Sequence, residues 1–366
     1  MKFTCRTEHL KNALGMLSRV VPTKPVKDIL KAIKFSCVEG ICTIQGNDGE
    51  NALAMRIPIT NLDAGGAGLL EFSKLRPIVE SFTEGETTIE LGDTTARILS
   101  GLSKFTLGCG RTDEYPAFPT NDGQTKLQMN SGEWSAAIAR LEPFSVPPAA
   151  SAWRGVYIES SDAHGVCAAS CDGNMFGWEI LDAKVSGPDV KALLSERGSK
   201  LIAAVLYGIP GDCVIQFSEA LVSIDTPSGT AICRLNEGKF PDWRKVRDKW
   251  KMKHESVFPR DSMLTALNQA TIPLTDSSRR LRFRFTDNNL TLSANVAGDE
   301  SEVQLPFAWS DEEMEFVYSG DMIKRVVAAF PAEAQIKVFL KDDGDPIRME
   351  SGSIGFQVSG MERENA

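Results

Sequence analysis

The residues of this chain are laid out three times over. Segments opening at Lys2-Phe3-Thr4, Lys126-Leu127-Gln128 and Ser256-Val257-Phe258 pass through the same order of elements, with Phe3, Leu127 and Val257 spaced 124 and 130 residues apart. Solenoid repeats run about 20 to 50 residues, so this period is that of a whole domain. Three domains of one plan favour an architecture built for shape, an arc or a ring, over a fold organised around one catalytic cleft. Length agrees, because 366 residues exceed one ordinary core and allow two or three domains of roughly 100 to 200 residues each. The repeat selects three, over 1–124, 125–250 and 251–366.

Each third divides into two halves that read strand, helix, then three strands. In the first, Lys2 to Cys5 is a short strand and His9 to Val21 a helix whose Leu10, Leu14, Leu17 and Val21 share one face. Strands follow at Ala32 to Val38, Ile41 to Gly46 and Ala52 to Ile59. The second half runs from Leu69 to Phe72 through a helix at Ser73 to Phe82 into strands at Thr88 to Leu91, Ala96 to Ser100 and Lys104 to Leu107. Helices near 132–141, 198–207, 262–269 and 321–330 take the matching places in the other thirds. Leu281 to Phe285 and Ile336 to Leu340 alternate as half-buried antiparallel strands do. Turns are expected at Asn47-Asp48-Gly49, Asp287-Asn288-Asn289 and Asp342-Asp343-Gly344, and the glycine run Gly65-Gly66-Ala67-Gly68 reads as a loop. Six helices among roughly two dozen short strands make the class α+β with antiparallel sheets. Polar stretches at 119–124 and 247–255 mark the boundaries between thirds.

Little in the chain points to catalysis. The three histidines, His9, His164 and His254, are not spaced as HxxxH or HExxH ligands, and Walker A, GxGxxG and GxSxG patterns are missing. The eight cysteines (Cys5, Cys37, Cys42, Cys109, Cys167, Cys171, Cys213 and Cys233) form no CxxC pair and read as buried free thiols. The acidic run Asp311-Glu312-Glu313 reads as solvated surface. No nucleophile, base and oxyanion site come together, so neither a metal nor a cofactor is expected. The opening residues carry no apolar core of a leader, and no run reaches the ~18 apolar residues of a membrane span. The expected location is cytoplasmic, with no membrane partner.

A net charge of -9 argues against a nucleic-acid partner, but an average hides distribution. Lys11, Arg19, Lys74, Arg76, Arg140, Arg197, Lys200, Lys324 and Arg325 lie on or beside the six expected helices, and Lys24 follows the first. They suit phosphate contacts. From periodicity alone, the wet face of an ordinary helix explains them equally well.

The opening Met1-Lys-Phe-Thr-Cys5 with His9-Leu10, followed by Pro25-Val-Lys-Asp-Ile-Leu30, resembles the start of the bacterial DNA polymerase III β subunits, the sliding clamps. Cys171-Asp172-Gly173-Asn174 is similar to that family's TDGH turn, and Gly238-Lys-Phe-Pro-Asp-Trp-Arg-Lys-Val246 to its GRFPDYRRV segment, the most specific of the matches. Order and spacing agree from residue 1 to about 361.

The resemblance implies the DNA clamp fold: three similar domains per chain, and two chains joined head to tail in a homodimeric ring with sheets outside and helices lining the hole. Twelve helices each ~10 Å wide give a circumference of ~120 Å and, less half a helix on each side, a hole of ~28 Å. A duplex of about 20 Å passes with room for water. Linkage then holds the ring on DNA, and phosphates need only loose contacts that allow sliding. Lys24, Lys74, Arg197 and Lys200, with Arg140 and Arg325, are the implied DNA contacts.

The family's second site is an apolar pocket between the middle and last domains that takes a short partner peptide. Carried over, its wall comprises Trp153, Cys171, Gly173, Asn174, Met175, Phe176, Pro241, Lys245 and Val246, completed by Gln357, Val358, Ser359, Gly360 and Met361. Such a wall suits a peptide anchored by Leu and Phe; Pro241 and Val246 on their own fit ordinary turn and core as well. Asn174 and Met175 replace the family's His and Arg, and Ser359 to Ala366 replaces its MPMRL ending, so the pocket chemistry differs. Ring closure would set Lys104 to Leu107, with Phe105 and Leu107, against Ala270 to Leu274, with Ile272 and Leu274.

The function implied is a non-catalytic processivity subunit that encircles double-stranded DNA and docks DNA polymerase and clamp loader through clamp-binding peptides. A second or specialised clamp with altered partners is the alternative. A monomeric scaffold of the same fold, and an enzyme whose site is invisible in the sequence, are the readings from other classes.

Overall fold

In the computed structural model, residues 1–361 are described apart from 39, 84, 147–152, 276–277, 310 and 342–344. The turn expected at Asp342-Asp343-Gly344 and the tail beyond Met361 lie outside them. The chain packs as two compact units, Met1–Ala136 with Ala183–Leu235, and Ala137–Asp182 with Asn236–Ala366.

Seven α-helices are present among the described residues: α1 Thr7–Leu17, α2 Phe72–Ser81, α3 Ser131–Leu141, α4 Glu196–Leu206, α5 Trp243–Asp248, α6 Arg260–Ala270 and α7 Gly320–Ala329. Six stand where apolar spacing places them, and α5 is additional. α1 is shorter than expected. It ends at Leu17, whose carbonyl takes the amides of Val20 and Val21 in closing turns, because β-branched residues running into Pro22 disfavour the helical region.

The first unit is built on one sheet of fourteen strands. From one edge, Lys184–Ser186, Thr125–Asn130, Asp212–Phe217, Leu221–Thr226 and Gly229–Arg234 lead into Asn51–Pro58, Ile41–Asn47, Ala32–Val38 and Gly66–Glu71. Ser103–Gly110, Thr95–Ser100, Glu86–Leu91, Lys2–Arg6 and Asn61–Ala64 complete it. The join falls where Ala231 opposes Leu53 and Cys233 opposes Asn51, so strands of the first and second repeats share one ladder. Gly229 is needed there, since a Cβ would sit 2.4 Å from the Ala54 carbonyl oxygen. α1 and α4 cover the same face: Leu17, Val20 and Val21 crowd Gly46, which opposes Leu53, while Gly198 approaches Cys233 and Asn51.

The glycine run is not the expected loop. Gly66 opens a strand and opposes Cys37, and Gly68 opposes Phe35. A Cβ at Gly68 would lie 3.3 Å from Leu91, so the run serves close packing rather than a turn. The short edge strands Asn61–Ala64 and Lys184–Ser186 also go beyond the three strands expected in each half.

The second unit holds seven strands in the order Val156–Ser161, Gly165–Cys171, Met175–Leu181, Ile354–Val358, Ile347–Ser351, Gln335–Leu340 and His254–Pro259. A second sheet runs Asp299–Pro306, Asn289–Val296, Arg280–Thr286 and Met314–Ser319. On the first of these sheets, register assigns alternate residues to opposite faces. Phe356 belongs to the helix side, packing at a tilt against Phe144 at 4.9 Å and edge-to-face against Phe330, at the end of α7, at 5.4 Å. Trp178 and Tyr157 belong to the other side, where α5 and the residues leading into it lie across them. The polar stretch 247–255 is therefore no slack boundary: it finishes α5 and begins the strand at His254.

Candidate functional site

The cations of the first unit fall on or beside its helices. Lys74 on α2 is 62% exposed and pairs with Glu71 at 2.6 Å. On α4, Arg197 is 71% exposed with Asp48 at 3.5 Å, and Lys200 pairs one turn back with Glu196 at 2.9 Å. Lys24 is exposed in the loop after α1. The Lys74–Glu71 pair is exposed and so individually weak, whereas Arg197 faces an Asp48 that is itself buried. Lys11 is different, since its ammonium bonds the Phe82 carbonyl at 2.5 Å and ties α1 to the end of α2.

Arg140 and Arg325, in the second unit, are held more tightly. Arg140 is 14% exposed, forms an ion pair with the 11%-exposed Glu179, and donates from Nε to the Ala329 carbonyl at 3.1 Å. Breaking a pair so buried leaves an unpaired charge, so Arg140 is a structural link between α3, the sheet and the end of α7, not a loose phosphate contact. Arg325 donates to the Pro143 carbonyl at 2.5 Å with its guanidinium over Phe144.

The residues of the expected peptide wall all belong to the second unit. Cys171 to Asn174 make a hairpin turn in which Asp172 Oδ1 accepts the amides of Asn174 and Met175 at 2.9 and 2.8 Å, and Gly173 takes a φ of 98° open to glycine. The tail docks on this turn: Ser359 donates to the Asn174 carbonyl at 2.9 Å, Gly360 to Asp345 Oδ1 at 2.7 Å, and Met361 to the Val317 carbonyl at 3.0 Å. Pro241, Lys245 and Val246 stand at and on α5, with Asp242 capping that helix and pairing with Lys245 at 2.8 Å. That pairing holds the Asp242 carboxyl below its usual range and raises Lys245. Trp153 is half-buried, and its indole N–H has no partner.

The wall divides by face. Cys171, Phe176 and Gln357 lie on the α5 side of the sheet, whereas Met175 and Val358, paired with each other, are almost wholly buried on the helix side. Those two support the wall from behind. Gln357 is buried with its side-chain oxygen unpartnered, an acceptor among apolar neighbours.

Sequence patterning missed the cluster that fixes α5. Glu159 accepts from Trp243 Nε1 at 3.2 Å and from Tyr157 Oη at 3.2 Å, and pairs with Arg244. Trp243 stacks on Trp178 at 5.8 Å, Phe240 on Tyr157 at 4.7 Å, and Arg247 lies over both indoles. A cavity of about 400 Å³ opens beside it, lined by His164, Ile180 and α5. The available signal was the interleaving of tryptophan with arginine and lysine from Trp243 onward.

Two stretches of sheet edge bear on the expected ring closure. Ser103–Gly110 pairs with Thr95–Ser100 along its length but meets Gly66–Glu71 only at Cys109 and Gly110. A cleft of about 530 Å³ lies beside the unpaired part, bordered by Leu107, Lys74 and Arg111. Phe105 is exposed, and Leu102, in the turn between the two strands, is fully so. In the second unit Asp299–Pro306 is an outermost strand, and Ser301 donates to the Ala270 carbonyl at 2.8 Å. Ile272, just beyond, is 78% exposed, whereas Leu274 is half-buried against Gly320.

Residues 1–119 match the family described as DNA polymerase III beta subunit, N-terminal domain. The beta sliding clamp of Salmonella typhimurium is 22% identical over 360 residues, and that of Escherichia coli 21% over 355, each match covering 96% of both chains. A sliding clamp of Pseudomonas aeruginosa solved with griselimycin superposes with a TM-score of 0.92 at 18% identity, covering 99% of this chain and 100% of that one. The chain is similar to the β sliding clamps along nearly its whole length. Its fold is the DNA clamp fold, shared also with a Helicobacter pylori beta clamp solved with a DNA ligase peptide, at a TM-score of 0.87, 16% identity and the same coverage. No described helix of the chain is long and apolar enough to cross a membrane.

Proposed function

We propose that two copies of this chain close head to tail into a ring that encircles double-stranded DNA and confers processivity on a replicative DNA polymerase, without catalysis of its own. The likeness to beta sliding clamps over 96% of both chains carries the reading. In it, residues 1–124, 125–250 and 251–366 are the three clamp domains, and the protein works in the cytoplasm, where the chromosome is.

The exposed cations Lys24, Lys74, Arg197 and Lys200 support a lining that touches phosphates loosely, with Arg325 at its margin. Arg140 drops out of that set. Closure would add the open edge of Ser103–Gly110 to the outer edge of Asp299–Pro306 in the second copy, with Phe105, Leu107 and Ile272 supplying apolar contact. Polymerase and clamp loader would bind through peptides at the wall around Cys171 to Phe176, Pro241, Lys245, Val246 and the tail. The test is product length on a primed single-stranded template with polymerase and clamp loader. Addition of the protein should lengthen the product of single binding events many-fold, and unchanged lengths with an active loader would refute the proposal.

A further inference from the structure

Two of the eight cysteines face each other. Cys37 opposes Cys42 across the ladder of Ala32–Val38 and Ile41–Asn47, and among the described ladders none of the other six has a cysteine opposite it.

The pair occupies the kind of rung that a disulfide can span. Opposed residues of an antiparallel ladder alternate between hydrogen-bonded and non-hydrogen-bonded pairs. At one end of Ile41–Asn47 the Gly40 carbonyl accepts the Ile59 amide at 3.1 Å, and at the other the Asp48 amide donates to the Asn51 carbonyl at 3.1 Å. Positions an even number of residues apart direct their backbone groups to the same side of a strand. Cys42 therefore bonds toward Ile57 on Asn51–Pro58, which leaves it in a non-hydrogen-bonded pair with Cys37. In such a pair the Cα atoms approach to about 4.5 Å and the side chains share one face. Disulfides need roughly 4.4–6.8 Å between Cα atoms.

Both side chains lie on the buried face, at 1% and 0% exposure. A hydrogen bond between the two thiols lowers Cys37 and, with burial, raises Cys42. One residue nearer the turn, Val38 and Ile41 are exposed. The cysteines thus form the first buried rung behind the hairpin tip, where local opening admits a small solute.

We propose that Cys37 and Cys42 are a reversible redox site, converted to a disulfide by a hydroperoxide and restored by a dithiol reductant. The Cys37 thiolate attacks one oxygen of hydrogen peroxide, the O–O bond breaks, and a sulfenic acid forms as the first water leaves. The Cys42 sulfur then attacks the Cys37 sulfur, the S–O bond breaks, and the hydroxyl departs with the Cys42 proton as the second water. Two thiols give up two electrons and two protons, and one peroxide takes them. Capture by the neighbouring thiol stops the reaction short of sulfinic acid, a protection that the half-buried and solitary Cys109 and Cys171 lack. The site gives the first repeat a transient response to oxidation, the form that disulfides take in reducing compartments.

The test treats the full, folded chain with a stoichiometric dose of hydrogen peroxide, unfolds it in the presence of iodoacetamide, and reads the tryptic peptide Phe35–Arg56, which holds both cysteines. That peptide should lose both labels together and weigh two hydrogens less, dithiothreitol before labelling should return both, and Cys5 should keep its own. In Cys42→Ala, dimedone should trap the sulfenic acid on Cys37. Retention of both labels while Cys109 and Cys171 are oxidised, a disulfide from either residue to Cys5, or sulfinic acid on Cys37 of the wild type would overturn the proposal. So would a disulfide that forms only in urea, which would make it a product of short sequence spacing and not of the ladder. The wild-type readouts decide the matter even where Cys42→Ala does not fold.

Discussion

Replacing Trp243 by alanine should free α5 from its sheet. The side chain is buried, stacked on Trp178 at 5.8 Å, covered by Arg244 at 4.4 Å and Arg247 at 5.5 Å, and bonded to Glu159 at 3.2 Å. Large aromatic-to-alanine changes in such surroundings cost about 3–5 kcal/mol. α5 has only six residues, and isolated helices shorter than ~12–15 residues are marginal in water, so little else holds it helical. Trp243→Phe keeps the stack and loses the indole bond to a Glu159 still neutralised by Arg244, a loss near ~1–2 kcal/mol. Hydrogen exchange reads the effect directly, because the Val246 and Lys249 amides bond the Asp242 and Lys245 carbonyls within this helix. In Trp243→Ala their protection should fall by roughly 100- to 1000-fold, the equivalent of 3–4 kcal/mol, with a much smaller change in Trp243→Phe. Unaltered exchange in Trp243→Ala, or an overall loss of stability below ~1 kcal/mol, would refute the view that this indole pins α5.

Gly355→Ala should destabilise by ~1–3 kcal/mol or more, because the added Cβ would meet the Trp178 ring at 2.1 Å; urea denaturation checks it, and an unshifted midpoint counts against the packing described. Phe105→Asp with Ile272→Asp should weaken self-association by about thirtyfold or more, the size of a hot-spot loss near ~2 kcal/mol, as read by sedimentation; a dimer of wild-type affinity would place the interface elsewhere. Burial pushes the thiols of Cys5, Cys167 and Cys233 up to about 12. At pH 8 their thiolate fraction is on the order of one in ten thousand. Iodoacetamide should therefore reach the half-buried Cys109 and Cys171 first, and rapid native labelling of Cys5 would contradict the burial described.

What was legible in the sequence follows from which physical signals are local. Helices such as α4 and α7 declare themselves by an apolar stripe, and strands such as Arg280–Thr286 by alternation, because one face of each meets a core. Residues whose state depends on a distant partner did not. Gly66 and Gly68 look like loop residues until the neighbouring strands supply the crowding that requires glycine. Arg140 looks like any helix-borne cation until Glu179 and the Ala329 carbonyl close on it. Met175 and Val358 match the family's wall in sequence order, but register turns them to the buried side. α5 was hidden because its stability comes from Trp178 and Glu159, about 65 and 84 residues away, and not from its own six residues.

The proposed linkage to DNA is topological, and a nicked circular plasmid tests it. Protein loaded on the circle should co-elute with the DNA at a salt concentration that abolishes ordinary phosphate binding, and should be lost when one restriction cut makes the circle linear. Equal retention on circular and linear DNA would contradict encirclement.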